Sequence, residues 1–235
     1  MPVGTILVMT VPTTKPRSRR PRPLLSQRSE EHLGARHREV LDQLESLFLQ
    51  DGFAGVSVRE LAAHVGCSRR TLYELAPSKD DLVLIVLDRF LHRVGRDALD
   101  KIDRSAGFSD QIAGYFRGGL ELQRQTRVFA EDLADEPAVR RLFDRHYAYV
   151  MEVTEGLVEQ GVAAGEFRSV SPAIVAGVLA GSGLFFNQAD VLAETPADFE
   201  AIVDALLDLV LVSLTHKPKT RPRSSGVGPG VQSVD

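Results

Sequence analysis

The stretch from Ser57 to Ala76, SVRELAAHVGCSRRTLYELA, restricts the possible folds of this chain more than any other part of its sequence. It begins with apolar residues at the spacing of a helix with one buried face, namely Val58, Leu61, Ala62 and Val65. Ser57 precedes them with Glu60 three residues on, which predicts a capping box. Gly66 can take the left-handed conformation that ends a helix, and Ser68 can cap a second one. The pattern predicts two short helices joined by a tight turn, a helix-turn-helix.

The second of these helices has two distinct faces. At about 100° per residue, Arg69, Arg70 and Tyr73 fall on one side of it. Leu72 and Leu75 fall on the other side and point back toward the first helix. Two guanidinium groups and a phenol on an exposed side can donate hydrogen bonds to base edges and phosphates in a DNA major groove. The alternative is an ordinary helical hairpin with a solvated arginine pair.

Helical patterns also flank this motif. An apolar stripe begins at Val40 and leads to Asp51-Gly52-Phe53, and after the motif Ser78 precedes a further helical pattern that begins at Lys79. The whole run of about forty-five residues resembles the N-terminal domain of the tetracycline-repressor (TetR) family. The resemblance rests on the pieces Leu47-Phe48, Asp51-Gly52-Phe53, Leu61-Ala62, Gly66-Cys67-Ser68, Thr71-Leu72-Tyr73 and Ser78-Lys79.

The resemblance implies a three-helix head that binds double-stranded DNA and a six-helix body that encloses an effector pocket. It also implies a homodimer, in which the last two helices of each chain pair as a four-helix bundle, and a ligand-responsive repressor acting on a near-palindromic operator. The DNA-binding residues expected are Ser57, Ser68, Arg69, Arg70, Thr71, Tyr73 and Lys79. Arg70 stands where the family commonly has a small residue, so the operator sequence cannot be inferred by analogy.

Charge is distributed unevenly along the chain. The net charge is −4, yet residues 1–38 carry eight Lys or Arg against Glu30 and Glu31, which leaves −10 on the remainder. Residues 36–79 are neutral, with six basic and six acidic side chains. Since most of the body would repel polyanionic DNA, we expect DNA contact at one end of the protein.

The basic N-terminal arm, residues 1–34, is expected to be disordered, because prolines alternate with arginines between residues 13 and 23. Its phosphate-contact candidates are Arg17, Arg19, Arg20 and Arg22. The arm admits two interpretations: a segment that follows DNA phosphates or enters a minor groove, or a solvated tail, possibly lengthened by a start codon misassigned upstream of Met9.

Beyond the head, residues 80–216 are predicted to form a helical effector-binding and dimerisation domain. Residues 217–235 are predicted to be a disordered tail. No strand pattern interrupts the series, so the chain is predicted to be all-α with about nine helices. Residues 173–186 carry no charge, and residues 199–214 are apolar over more than half of the helix circumference. A helix of that kind must be covered on two sides, which predicts a partner chain.

Residues that could carry out chemistry are few. The six histidines form no HExxH pair and have no cysteine neighbours at zinc spacing, so no metal site and no cofactor are predicted. An enzyme is therefore not expected; a helical enzyme or an interaction module without DNA binding is the alternative function. The residues expected to line a pocket for a small apolar effector are Phe116, Phe129, Phe143, His146, Tyr147 and Phe185.

The composition is that of an ordinary globular protein, with 43% hydrophobic and 26% charged residues. No apolar run approaches the ~20 residues that span a bilayer, so no membrane association is expected. The single cysteine, Cys67, excludes an internal disulfide and fits a reducing cytoplasm. Its place in the helix-turn-helix predicts a small packed side chain.

Overall fold

The computed structural model describes residues 20–126, 136–186 and 188–215, and these contain ten α-helices and no strand. The helices are α1 (Gln27–His32), α2 (Ala35–Asp51), α3 (Val58–His64), α4 (Arg69–Leu75), α5 (Lys79–Asp100), α6 (Phe108–Thr126), α7 (Pro137–Ala163), α8 (Pro172–Phe186), α9 (Ala189–Glu194) and α10 (Phe199–Thr215). The all-α prediction is confirmed. The short helices α1 and α9 were not predicted.

The head consists of α2, α3 and α4, packed together with the first half of α5. Its core contains Leu41, Phe48, Leu61 and Leu72, each at most 1% exposed. Burying side chains of this size stabilises the fold by about 1.5–3 kcal/mol each. The turn between α3 and α4 requires Gly66, which has φ +58°. Local signals in the sequence therefore place these helices correctly.

The expectation of disorder over residues 1–34 is wrong for its last part. Residues 27–32 form α1, and Leu25 and Leu33 on either side of it pack against the head core. The Arg38 guanidinium donates to the main-chain carbonyls of Glu30 and Glu31, each at 3.3 Å. Apolar anchors next to the Pro/Arg stretch thus hold this segment, and the composition of the stretch alone does not reveal them.

Helix α5 connects the head to the body. Its apolar side chains between Leu82 and Val94 lie in or against the same buried cluster as the head core, and Val139 and Leu142 of α7 join that cluster. Farther along, α5 packs against α6. The helix ends at Asp100.

The body contains α6 to α10 around a second core that includes Ile112, Val158, Leu179 and Leu207. Ser109 is a possible N-cap by residue type, but α6 already begins at Phe108. Instead, the Glu166 carboxylate accepts the backbone N–H groups of Phe108 and Ser109, both at 2.8 Å. A carboxylate is favourable there because the N-terminus of a helix carries partial positive charge.

The last helix begins later than the Thr195-Pro196 pair suggests. Its first residue is Phe199, and the Asp198 carboxylate accepts the backbone N–H of Ala201 at 2.8 Å. Aspartate is a better N-cap than threonine, so the helix starts where the aspartate stands. None of the described helices is both long enough and apolar enough to cross a membrane.

Candidate nucleic-acid interface

Helix α4 presents its polar face to solvent. Arg69 and Arg70 are exposed, Tyr73 is 54% exposed, and Leu72 and Leu75 are buried against the head. Ser68 caps the helix, because its hydroxyl oxygen accepts the backbone N–H of Thr71 at 3.1 Å. The three side chains expected to read DNA therefore share one open face on a rigidly capped helix.

Arg70 is paired within its own helix. Its Nε donates to the Glu74 carboxylate at 3.0 Å, and His37 of α2 lies 3.4 Å from the other carboxylate oxygen. The Arg70 hydrogen bond is the largest cause that holds the pKa of Glu74 below its usual range, and the His37 hydrogen bond comes next. The Arg70 side chain stays 88% exposed, so the pair can open toward a base at little cost.

Arg36 of α2 holds the turn of the helix-turn-helix, a role that the sequence alone does not indicate. Its Nη2 donates to the carbonyl oxygens of Val65 at 3.1 Å and Gly66 at 2.7 Å. These carbonyls lie at the end of α3, where the helix leaves them without internal partners. Arg36 therefore fixes the angle between α3 and α4, although it lies about thirty residues away in sequence.

The phosphate-contact candidates differ in how free their donors are. Ser57 uses both its donors on the Glu60 carboxylate, with the backbone N–H at 2.8 Å and the hydroxyl at 2.6 Å. The Thr71 hydroxyl lies 3.0 Å from the Ser68 hydroxyl. Lys79 begins α5, directly after the capping residue Ser78. Lys79 thus combines an ammonium group with the backbone N–H groups of a long helix, the arrangement that favours phosphate.

Two of the four arm candidates can be placed. Arg20 and Arg22 are both exposed, and Leu24 just after them donates its backbone N–H to Asp88 of α5. Asp88 lies nine residues along α5 from Lys79, about 14 Å at 1.5 Å per residue. This segment of the arm therefore runs beside the middle of α5. Arg17 and Arg19 lie outside the described residues.

The pocket candidates among the described residues do not all pack in the same place. Phe143 packs against the head core, Phe116 against the body core, and Phe185 is 53% exposed. Burial raises the pKa of Tyr147, as expected for a phenol with apolar surroundings. His146 faces His92 of α5 with ring centroids 4.8 Å apart. Phe129 lies outside the described residues.

An apolar surface covers one side of α8 and α10. Large side chains along it are well exposed, led by Leu209 at 69% and Ile174 at 68%. The others are Val178, Phe185 and Val212. Isolated exposed apolar residues are common, but five on two adjoining helices form a patch of the kind that marks an interaction surface.

Comparison with known proteins supports the interpretation of the head. Residues 40–86 match the family model described as bacterial regulatory proteins, tetR family. The uncharacterised HTH-type transcriptional regulator YezE of Bacillus subtilis is 24% identical over 189 residues, which cover 75% of this chain and 93% of YezE. The HTH-type transcriptional repressor KstR2 of Mycobacterium tuberculosis is 24% identical over 143 residues, 58% of this chain and 71% of KstR2.

A solved structure extends the likeness to the body. AibR, in complex with isovaleryl coenzyme A and operator DNA, superposes with a TM-score of 0.56 at 18% identity, over 74% of this chain and 97% of AibR. The helix-turn-helix, its exposed basic face and these matches define a DNA-binding transcriptional regulator. Through residues 40–86 the chain is similar to the tetR family of bacterial regulatory proteins, and YezE is similar to it over most of its length. The alternative of an enzyme or interaction module without DNA binding is not favoured.

Proposed function

We propose that this regulator is a ligand-responsive repressor that binds a near-palindromic operator as a homodimer. The observation that carries the proposal is the exposed face of α4, on which Arg69, Arg70 and Tyr73 stand together on a capped helix. Each arginine can bind a guanine bidentately in the major groove, a contact worth about 1–3 kcal/mol of discrimination. Repression as the outcome is supported by the name of the relative KstR2.

The homodimer rests on the apolar surface of α8 and α10. Ile174, Val178, Leu209 and Val212 stay exposed in the single chain, although the opposite sides of the same helices are buried in the body core. A second copy can cover this surface by an isologous contact, in which the same helices meet across a two-fold axis. The two α4 helices then reach half-sites about one helical turn, 34–36 Å, apart.

The effector is proposed to be a small apolar molecule held in the body. Support comes from the partly buried aromatic side chains Phe116 and Tyr147 and from AibR, which carries isovaleryl coenzyme A in its solved complex. Helix α5 can transmit effector binding to the head, since one half of it packs in the head and the other half packs against α6. By linkage, an effector that releases DNA must bind the operator-bound protein more weakly by the same factor.

A band-shift titration on the DNA upstream of the protein's own gene tests the proposal, with unrelated DNA of equal length as competitor. Wild type should prefer the upstream DNA, and Arg69→Ala combined with Arg70→Ala should remove that preference. Arg104→Ala, an exposed arginine in the loop after α5, is the matched control and should bind like wild type. Equal binding by the double variant would refute DNA reading by α4.

A further inference from the structure

Asp88 and His92 of α5 and His146 of α7 direct three polar atoms into one buried space. Asp88 Oδ1 lies 3.5 Å from His146 Nε2 and 3.7 Å from His92 Nε2, and the three atoms all lie within 4.8 Å of one another. Asp88 is 1% exposed and His92 6%, and the His146 side chain is 11% exposed. None of the three atoms has a hydrogen-bond partner.

Such a group of atoms is unfavourable unless something binds to it. A buried polar atom without a partner costs about 1–3 kcal/mol, and a buried carboxylate without a compensating charge costs more. Both nitrogen–oxygen distances are longer than a hydrogen bond, so a proton on either imidazole does not satisfy the carboxylate. A cation placed between the three atoms would satisfy all of them at once.

The spacing of the atoms suits a small metal ion. Bonds of about 2.0–2.1 Å from zinc to nitrogen or oxygen place neighbouring ligand atoms of a tetrahedron about 3.4 Å apart. The 3.5 and 3.7 Å separations are close to that value, and a shift of at most about 1.4 Å by an imidazole brings the third pair into range. Asp88 and His92 are four residues apart on one helix, and α7 supplies His146 from the opposite side.

The carboxylate is also held in the orientation that a metal ligand needs. Its other oxygen, Oδ2, accepts the backbone N–H of Leu24 at 2.7 Å, which leaves Oδ1 turned toward the two imidazoles. Hydrogen bonds of this kind behind a ligand fix its direction, and in metalloproteins their loss typically weakens metal binding 10–100-fold.

We propose that Asp88 Oδ1, His92 Nε2 and His146 Nε2 bind one divalent transition-metal ion of the zinc type, with a fourth position open to water or to a ligand. Two imidazoles and one carboxylate favour zinc, cobalt or nickel over magnesium and calcium, which prefer all-oxygen sites. The site joins α5 to α7 beside the head core. It is independent of the proposed operator binding.

The test uses the full chain without an affinity tag, stripped of metal with a chelator. Calorimetry with zinc should show one ion bound per chain, and magnesium at the same concentration should show none. Cobalt should produce the visible absorption of a tetrahedral ion without a sulfur charge-transfer band. His92→Gln and His146→Gln should each weaken zinc binding at least a hundredfold, whereas His64→Gln and Cys67→Ser on the head should bind like wild type.

X-ray absorption on zinc-loaded wild type makes the test independent of how the variants fold. Two imidazole ligands and no sulfur should surround the ion. Failure of wild type to bind zinc, unchanged affinity in a folded His146→Gln, or a spectrum without imidazole would each overturn the proposal. Circular dichroism and melting curves of each variant separate loss of a ligand from loss of the fold.

Discussion

Arg36 donates a hydrogen bond of 2.7 Å to the carbonyl oxygen of Gly66, and so one side chain of the first long helix fixes the turn that orients α4. The guanidinium meets the carbonyl end of α3, where cations are stabilised by the helix dipole. The glycine has φ +58°, the left-handed conformation in which α3 ends and the turn begins. The orientation of the DNA-reading helix therefore depends on a residue that is not expected to touch a base.

Replacing Arg36 should weaken DNA binding without changing which sequence is preferred. Arg36→Ala removes two hydrogen bonds, each worth about 0.5–1.5 kcal/mol, and should lower affinity for all operator variants by a similar factor. Glu39→Gln is the control, because it removes only the ion pair of Arg36 with Glu39. Anisotropy titrations on a set of operator variants would measure both, and a changed rank order would contradict this role.

Unlike Arg36→Ala, the Arg70→Ala variant should change which operator sequence is preferred. It should cost about 1–3 kcal/mol on the cognate operator and relax the preference at one base pair, because a bidentate contact to a base is lost. Lys79→Ala, which removes a phosphate contact, should weaken all sequences evenly. Selection from a randomised operator library would compare the two variants, and an unchanged base preference in Arg70→Ala would contradict base reading by Arg70.

The exposed apolar surface of α8 and α10 should hold the two chains together. Leu209→Asp combined with Val212→Asp places charge on that surface and should give a folded monomer, since both side chains are exposed in the single chain. Leu207→Asp on the same helix should instead unfold the body, because Leu207 is only 2% exposed. Light scattering and circular dichroism distinguish these outcomes; an unaltered dimer in the double variant would place the interface elsewhere.

Deleting residues 1–19 should flatten the salt dependence of DNA binding while leaving α1 and the Leu24 contact in place. The deletion removes Lys15, Arg17 and Arg19, and each phosphate contact contributes about 0.9 to the slope of log affinity against log salt. The rank order of operator variants should survive, because α4 reads the bases. Titrations at several salt concentrations measure the slope, and equal slopes would show that the arm is a passive tail.

The capping box of α3 should depend on pH in a defined direction. Hydrogen bonds from the Ser57 hydroxyl and backbone hold the pKa of Glu60 below its ordinary value of 4.5. A lowered carboxylate pKa means that its stabilisation is present above the unfolded pKa and is lost as the pH falls through the folded pKa. NMR titration of Glu60 should show the lowered pKa in wild type and a return toward 4.5 in Ser57→Ala. An equal pKa in both would show that Ser57 is not its cause.

The parts of this fold that the sequence predicts are those with local causes. Ser57, Ser68 and Gly66 act within three or four residues of themselves, so the ends of α3 and α4 follow from their order. The cap of α6 by Glu166 joins positions 58 residues apart. The helical pattern of the sequence around α6 does not indicate a capping residue so far away.

The same reason explains why the sequence does not predict the cluster of Asp88, His92 and His146. A search for metal ligands at short spacing misses His146, because its neighbours Asp88 and His92 lie on a different helix. The only local sign of this cluster is the four-residue step between Asp88 and His92, which on its own is common in helices. For the aromatic pocket candidates the sequence is equally silent on one point, since being apolar and helical does not tell on which of the two cores a side chain packs.

The hydrogen bond between Leu24 and Asp88 attaches the arm to α5 and so limits how far the basic residues before it can extend. Arg17 is seven residues before that anchor, so its Cα can lie at most about 25 Å from it, even in a fully extended chain. The anchor belongs to the middle of α5 and not to the DNA-reading helices. Any movement that draws this part of α5 away from the double helix shortens the reach of every basic residue ahead of it. If the arm binds phosphates as we expect, its contacts with DNA and the position of α5 therefore change together.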